Sequence, residues 1–194
     1  MKTTVYNFKG GVGKTVLSLN LALTMEYSIV TNDIYSPIEK VLNEDRILKI
    51  HHDEILPAFP DDYNIIFDLG GHIDKRAISA IKQSDFVLVP VIKGFINIQV
   101  SIDTITELLA LNQHVIIIAN QTTPGDMDDI RAAMERFFDL PVFEIKQSKS
   151  LPNIFKEKKS VRAMVSEGGL KKYHFNAVAD QFDLIIEYIK ERGS

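Results

Sequence analysis

Seven consecutive residues, Lys9-Gly10-Gly11-Val12-Gly13-Lys14-Thr15, carry the first chemistry visible in the sequence. Glycines at positions 10, 11 and 13 let backbone N–H groups turn inward, and the helix pattern that begins at Thr15 adds the partial positive charge of a helix start. Such a loop cradles a chain of phosphates. Lys14 then reaches the β- and γ-phosphates, and the Thr15 hydroxyl is placed to hold Mg²⁺. The match to G-x-x-x-x-G-K-[ST] is complete only when its first glycine is relaxed, because position 8 is Phe8. The pattern that fits throughout is K-G-G-x-G-K-T. A tight strand–helix connection is the alternative for a glycine turn, but the Lys-Thr pair and the flanking elements all agree with phosphate binding. Lys9 is the informative addition, since one lysine in such a loop has a standard task and a second at its start does not.

The elements around this loop must hold it at the end of a strand. Thr3 to Phe8 is a β-branched and aromatic run that ends at the glycines, a strand signal. From Thr15 the spacing of Leu17, Leu21 and Met25, with Leu19, Ala22 and Leu23 beside them, predicts a helix buried on most of its circumference. Further strands are predicted at Ser28–Thr31, Tyr63–Asp68, Asp85–Val91, His114–Asn120 and Pro141–Ile145. Helices are predicted at about 74–83, 97–111, 126–138, 152–158 and 170–191. Pro37–Leu42 reads as a short helix and Ile47–His51 as a peripheral strand. The strands are nearly continuous apolar runs, so both their faces are buried. Strand–helix alternation of this kind specifies an α/β fold, a mainly parallel sheet covered by helices on both faces.

Composition bounds what such a fold can do. The chain has 194 residues, 45% of them hydrophobic and 25% charged, which suits a single domain spanning 1–194. Its net charge is 22 − 26 = −4, so nothing global advertises a nucleic-acid binder. The absence of cysteine excludes disulfides, thiol catalysis and cysteine-held zinc or iron–sulfur centres. The histidines at 51, 52, 72, 114 and 174 have no ligand spacing. No apolar run approaches the ~18 residues of a membrane span, and Met1-Lys2-Thr3-Thr4-Val5 lacks the apolar core of a secretory signal. A cytoplasmic location is expected.

The K-G-G-x-G-K-T loop resembles the deviant Walker A motif of the ParA/MinD family of P-loop ATPases, and the resemblance extends along the chain. It implies ATP and Mg²⁺ as ligands, with Gly10, Gly11, Val12, Gly13, Lys14, Thr15 and Val16 around the nucleotide. Members of that family close as an ATP-sandwich dimer in which the early lysine reaches the partner's phosphates, so Lys9 is expected to act in trans. Ile65-Ile66-Phe67-Asp68-Leu69-Gly70-Gly71 is similar to the Walker B strand and switch II, which makes Asp68 a metal residue together with Thr15. An aspartate that caps the next helix is the other reading of Asp68. Asp85-Phe86-Val87-Leu88-Val89-Pro90 is similar to the family's next strand.

Asp33 resembles the switch I aspartate that orients the attacking water, and Lys9, Lys14 and Asp33 are the catalytic candidates. The chain departs here from the family's D-x-D-P-Q, reading Thr31-Asn32-Asp33-Ile34-Tyr35, so a plain turn aspartate stays open. Val16 departs too, where relatives often carry threonine. Asn120 ends a buried strand whose family counterpart lies beside adenine. The N-K-x-D signature of guanine readers is absent from Asn120-Gln121-Thr122-Thr123, which favours ATP.

Within the family, the missing cysteines exclude the iron–sulfur carriers, and a first strand at residue 3 leaves no room for a preceding helix-turn-helix. The segment Gln181–Arg192 is amphipathic but mixed in sign, which fits a helix packed on the sheet better than a membrane anchor. Residues 146–172 hold eight bases against Glu157 and Glu167, a local +6 in a chain of −4. Lys149, Lys156, Lys158, Lys159, Arg162, Lys171 and Lys172 are therefore candidates for nonspecific DNA binding, a solvated basic face being the alternative. The resemblance implies a small ParA-like partition ATPase, nucleoid-associated, with a ParB-like or other partner that stimulates hydrolysis. A positioner of protein cargo and a dethiobiotin-synthetase-like ligase are the competing readings.

Overall fold

The computed structural model describes every residue except His72, Ser150 and Ser194. Seven strands form one sheet: β1 (Lys2–Val5), β2 (Ser28–Thr31), β3 (Ile47–Lys49), β4 (Ile65–Asp68), β5 (Phe86–Val91), β6 (Val115–Thr122) and β7 (Val142–Lys146). Their order is β3-β2-β4-β1-β5-β6-β7, and every neighbouring pair is parallel. The helices are α1 (Lys14–Met25), α2 (Lys75–Gln83), α3 (Phe95–Leu109), α4 (Asp126–Met134), α5 (Asn153–Glu157), α6 (Val161–Ser166) and α7 (Gly169–Arg192).

The pleat sorts the apolar runs into two cores. Val5, Ile66, Leu88, Ile116 and Ile118 point to one face, where Leu17 and Leu21 of α1, Met164 of α6 and Phe182 and Ile185 of α7 cover them. Phe67, Val87, Val89, Ile117 and Ala119 point to the other, against Ala80 of α2, Ile105 of α3 and Ile130 of α4. Continuous apolar strands are the sequence signal for this two-sided burial, and both faces are filled. α7 packs as expected, burying Phe175, Val178, Phe182, Ile185 and Ile189. Among the described residues no helix is long and apolar enough to cross a membrane.

Some boundaries differ from expectation for local reasons. The first strand ends at Val5, although Tyr6 N–H still donates to Leu88 O at 3.0 Å. Tyr63 lies outside β4, and residues 37–40 form a single 3₁₀ turn. The helix expected over 126–138 stops at Met134. α6 has no counterpart among the helices expected from periodicity; the Ser160 hydroxyl caps it by accepting from Ala163 N at 3.2 Å.

All strands point the same way, so their carboxyl ends share one edge of the sheet. The crevice at that edge opens beyond β1, where connections leave toward α1 on one face and α2–α4 on the other, the usual ligand position in open α/β sheets.

Candidate phosphate-binding site

The glycine-rich loop leaves the end of β1 and becomes the start of α1. Gly13 occupies the helix N-cap with φ 89°, a left-handed conformation that an L side chain resists, and no side chain caps the helix there. The first N–H groups of α1 thus lack a side-chain partner at the point where the loop opens. A Cβ at Gly13 would lie 2.5 Å from Asn120 Nδ2 and 3.3 Å from Gln121 Nε2. Asn120, at the far end of β6, needs that space, because its Nδ2 donates to Val12 O at 2.7 Å and pins the loop. Gly13→Ala is accordingly expected to destabilise the fold by about 1–3 kcal/mol, combining left-handed strain with a displaced Asn120. A thermal melt should fall by roughly 2–4 °C per kcal/mol, and a melt unchanged from wild type would contradict the tight packing.

Asn7 anchors the other end of the loop. It is fully buried, donating to Pro90 O and Ser101 Oγ, each at 2.9 Å, and accepting from Lys9 N–H at 2.8 Å and Thr104 Oγ1 at 3.3 Å. Lys14 folds over the loop, its Nζ donating to Asn7 O and Lys9 O at 3.0 Å each. Burial lowers the Lys14 pKa, and neighbouring Asp68 opposes that shift. The Lys9 ammonium makes no hydrogen bond or ion pair among the described residues.

Asp68 ends β4 and is almost fully buried. Burial raises its pKa, while Thr15, Ser18 and Lys14 favour the charged form; the Ser18 hydroxyl donates to Oδ1 at 3.0 Å. Oδ2 is buried with no hydrogen-bond partner. A carboxylate oxygen without a partner, next to a threonine hydroxyl, is the donor set a hard divalent cation or its water shell takes. These residues fit Mg²⁺.

Gly10, Lys14, Thr15, Asn32, Asp33, Asp68 and Gly70 surround one open cleft of about 390 Å³. Asp33 stands on its rim in a turn of its own making, with Oδ1 accepting from Tyr35 N at 3.0 Å and its N–H donating to Thr31 Oγ1 at 3.1 Å. Gly13, Val16, Asn120 and Lys149 belong instead to a neighbouring pocket of about 240 Å³, shared with Gln121, Lys146 and Gln147. Both cavities are lined in part by residues of the glycine loop and the start of α1.

The remaining basic candidates lie apart, Lys156 on α5, Lys158 and Lys159 in the segment that follows it, Arg162 on α6 and Lys171 and Lys172 on α7, and several are already paired. Lys171 bridges Glu157 and Glu167 at 2.7 Å each, Lys159 meets Glu167 at 2.6 Å, and Arg162 spans Asp180 and Asp183. Hydrogen bonds from Lys159 and Lys171 hold Glu167 down at about 2. Lys156, Lys158 and Lys172 are exposed and make no ion pair among the described residues.

Sequence reasoning missed Asn7, Ser18 and Asn32. Ser18 had a usable signal, since it follows Lys14 by one helical turn and shares its face. No group of three or more His, Cys, Asp or Glu side chains that could hold a metal ion occurs among the described residues.

No protein-family model matches the sequence, and no curated protein matches it. Solved structures do. An ATP complex of a McdA variant from Cyanothece superposes with a TM-score of 0.68 at 15% identity, covering 99% of this chain and 96% of that one. MinD from Pyrococcus horikoshii, complexed with Mg-ADP, gives 0.65 at 15%, covering 95% and 96%. A ParA-family ATPase from Chlorobium tepidum gives 0.59 at 13%, covering 92% and 98%. The likeness runs the length of both partners in each pair, and with it the chain takes its place in the fold of the ParA- and MinD-type P-loop ATPases.

Proposed function

We propose that this protein is a ParA-like ATPase whose nucleotide-dependent dimer holds DNA nonspecifically and segregates a plasmid or other DNA. The observation that carries the reading is the K-G-G-x-G-K-T loop at the carboxyl edge, with the Lys9 ammonium unbonded among the described residues and Lys14 in the same cleft as a buried, half-partnered Asp68. ATP binds with its phosphates along the loop and helix start. Thr15 and Asp68 would hold Mg²⁺, which would supply positive charge against the phosphates. Lys14 and the partner's Lys9 stabilise charge on the transferring phosphoryl group, and Asp33 orients water from the rim. Asn120 and Val16 line the base pocket. A ParB-like partner stimulates hydrolysis and releases the DNA.

The exposed, unpaired Lys156, Lys158 and Lys172 supply the DNA contacts, with Lys159, Arg162 and Lys171 as their paired neighbours. Replacing Lys156, Lys158 and Lys172 with glutamine should weaken duplex binding and reduce its salt slope by roughly one for each phosphate no longer neutralised, with ATP turnover intact. An unchanged slope in filter binding at several salt concentrations would make this a solvated face. The internal pairing of Lys159, Arg162 and Lys171 favours a second reading, in which the dimer positions protein cargo.

The deciding experiment is size exclusion with light scattering, with and without ATP and Mg²⁺, followed by a duplex DNA shift. A dimer that forms with ATP and then shifts DNA supports partition. A dimer indifferent to DNA supports the cargo reading. A species unchanged by ATP points to a dethiobiotin-synthetase-like ligase, and a small-molecule substrate screen would follow.

A further inference from the structure

The last hydrogen-bonded pairing of β2 with β4 brings Thr31 beside Asp68. Beyond it the two backbones part, yet one contact still joins them. Asn32 Nδ2 donates to Gly70 O at 2.9 Å, and Gly70 N–H donates to Asn32 Oδ1 at 3.0 Å. A single side-chain amide thereby exchanges both of its groups with a single residue's backbone, as a paired strand would. Only one amide orientation satisfies both bonds, so the side chain is locked in rotation as well as in place.

The location gives the contact its meaning. Asn32 precedes Asp33 on the rim of the phosphate cleft, and Gly70 lies two residues beyond Asp68 on the opposite wall, with its Cβ position 3.6 Å from Lys14 Cε. Gly71 is held separately, its carbonyl accepting from the buried Tyr6 hydroxyl at 2.7 Å. The wall formed by 70–71 is therefore anchored to the sheet through Tyr6, and Asn32 fastens the Asp33 turn to that wall. Without Asn32, residues 33–36 keep among the described residues the turn bonds Asp33 N–H to Thr31 Oγ1, Tyr35 N–H to Asp33 Oδ1 and Ser36 N–H to Asp33 O, with a lysine contact from Lys49 to Ile34 O at 2.8 Å.

We infer that Asn32 is a positioning residue, whose two-way clasp on Gly70 makes the two loops flanking the phosphate cleft move as one body and sets Asp33 over the cleft. The inference rests on the phosphate-cleft reading above. Aspartate in its place could accept from Gly70 N–H but could not donate to Gly70 O, and it would set a third carboxylate beside Asp33 and Asp68. A conservative-looking exchange thus separates the clasp from mere side-chain volume.

The test compares wild type, Asn32→Ala and Asn32→Asp by amide hydrogen exchange without nucleotide, then by ADP titration and ATP turnover. Asn32→Ala should speed exchange about fivefold or more at Gly70 and at residues 33–36 together, the scale of one broken hydrogen bond, while residues 10–25 keep their protection; Asn32→Asp, which still accepts from Gly70 N–H, should speed exchange at residues 33–36 alone. Tyr6→Phe should loosen residue 71 and leave 33–36 protected. ADP affinity should stay within about twofold in Asn32→Ala, while the added carboxylate of Asn32→Asp also repels the ADP phosphates; turnover at saturating ATP should fall on the order of 10²-fold in both, the scale of a misplaced reacting group. Exchange at 33–36 equal to wild type in Asn32→Ala, or full turnover in Asn32→Asp, would overturn the clasp. Wild type that binds neither ADP nor ATP would instead overturn the phosphate-cleft reading beneath it.

Discussion

Lys14→Ala is expected to weaken ATP and ADP binding by on the order of 10²-fold or more while leaving the protein folded. The size follows from what the ammonium does in the free and bound states. Without nucleotide it sits 3.0 Å from Asn7 O and Lys9 O, acting as a temporary cation inside the loop. When phosphates enter, the same charge turns to oxygens that are formally anionic, and each charge-assisted bond is worth about 1.5–3 kcal/mol. Two such bonds amount to about 3–6 kcal/mol, less what the two carbonyl bonds supplied. Folding stability should drop far less, because Lys14 lines an open cleft and truncating it lets water reach the two carbonyls in its place. A melting shift of roughly 2–4 °C is the expected ceiling for a chain of this size. Isothermal titration with ADP reads the affinity and a melt reads the fold. Retained ADP affinity in a folded Lys14→Ala protein would sink the phosphate-binding reading of the loop.

Most of the candidate site could be proposed from the sequence because its residues are local. Glycines, Lys14 and Thr15 lie within six residues, and the helix they open has an apolar pattern of its own. The strands were legible because burial on both faces writes unbroken apolar runs such as Val115–Ala119. What escaped was polar and nonlocal. Asn7 reads as one polar residue at a strand end, yet its partners Pro90, Ser101 and Thr104 lie more than 80 positions away. Asn32 differs from its neighbours only by an amide, and its partner Gly70 is 38 residues on. A linear charge count also misled in one respect. Residues 146–172 look strongly basic alone, but α7 returns Asp180 and Asp183 from beyond that window to neutralise Arg162. Sequence distance and spatial distance part company at such places. The structure also sets Lys149 in the pocket that Val16 and Asn120 line, a position that the same count could not assign.

Lys9→Ala should do the opposite of Lys14→Ala, sparing the monomer and destroying the assembly. Its backbone work survives the change: the N–H still donates to Asn7 Oδ1 and the carbonyl still accepts from Lys14. Its ammonium has no bond among the described residues, so truncation should alter stability by less than about 0.5 kcal/mol. Nucleotide affinity of the isolated chain should then stay within about twofold. In a two-fold symmetric dimer every interaction occurs twice, so removing a lysine that reaches the partner's phosphates empties two sites at once. At about 1.5–3 kcal/mol each, the ATP-bound dimer should weaken by roughly 10²- to 10⁴-fold. Sedimentation velocity across a concentration series, with ATP and Mg²⁺, measures that constant directly. Monomers under conditions where wild type is dimeric, with ADP titrating normally, would separate the two lysines into one that binds and one that joins. A dimer of wild-type strength would leave Lys9 as a solvated surface charge, and the trans contact would have to come from elsewhere on the carboxyl edge.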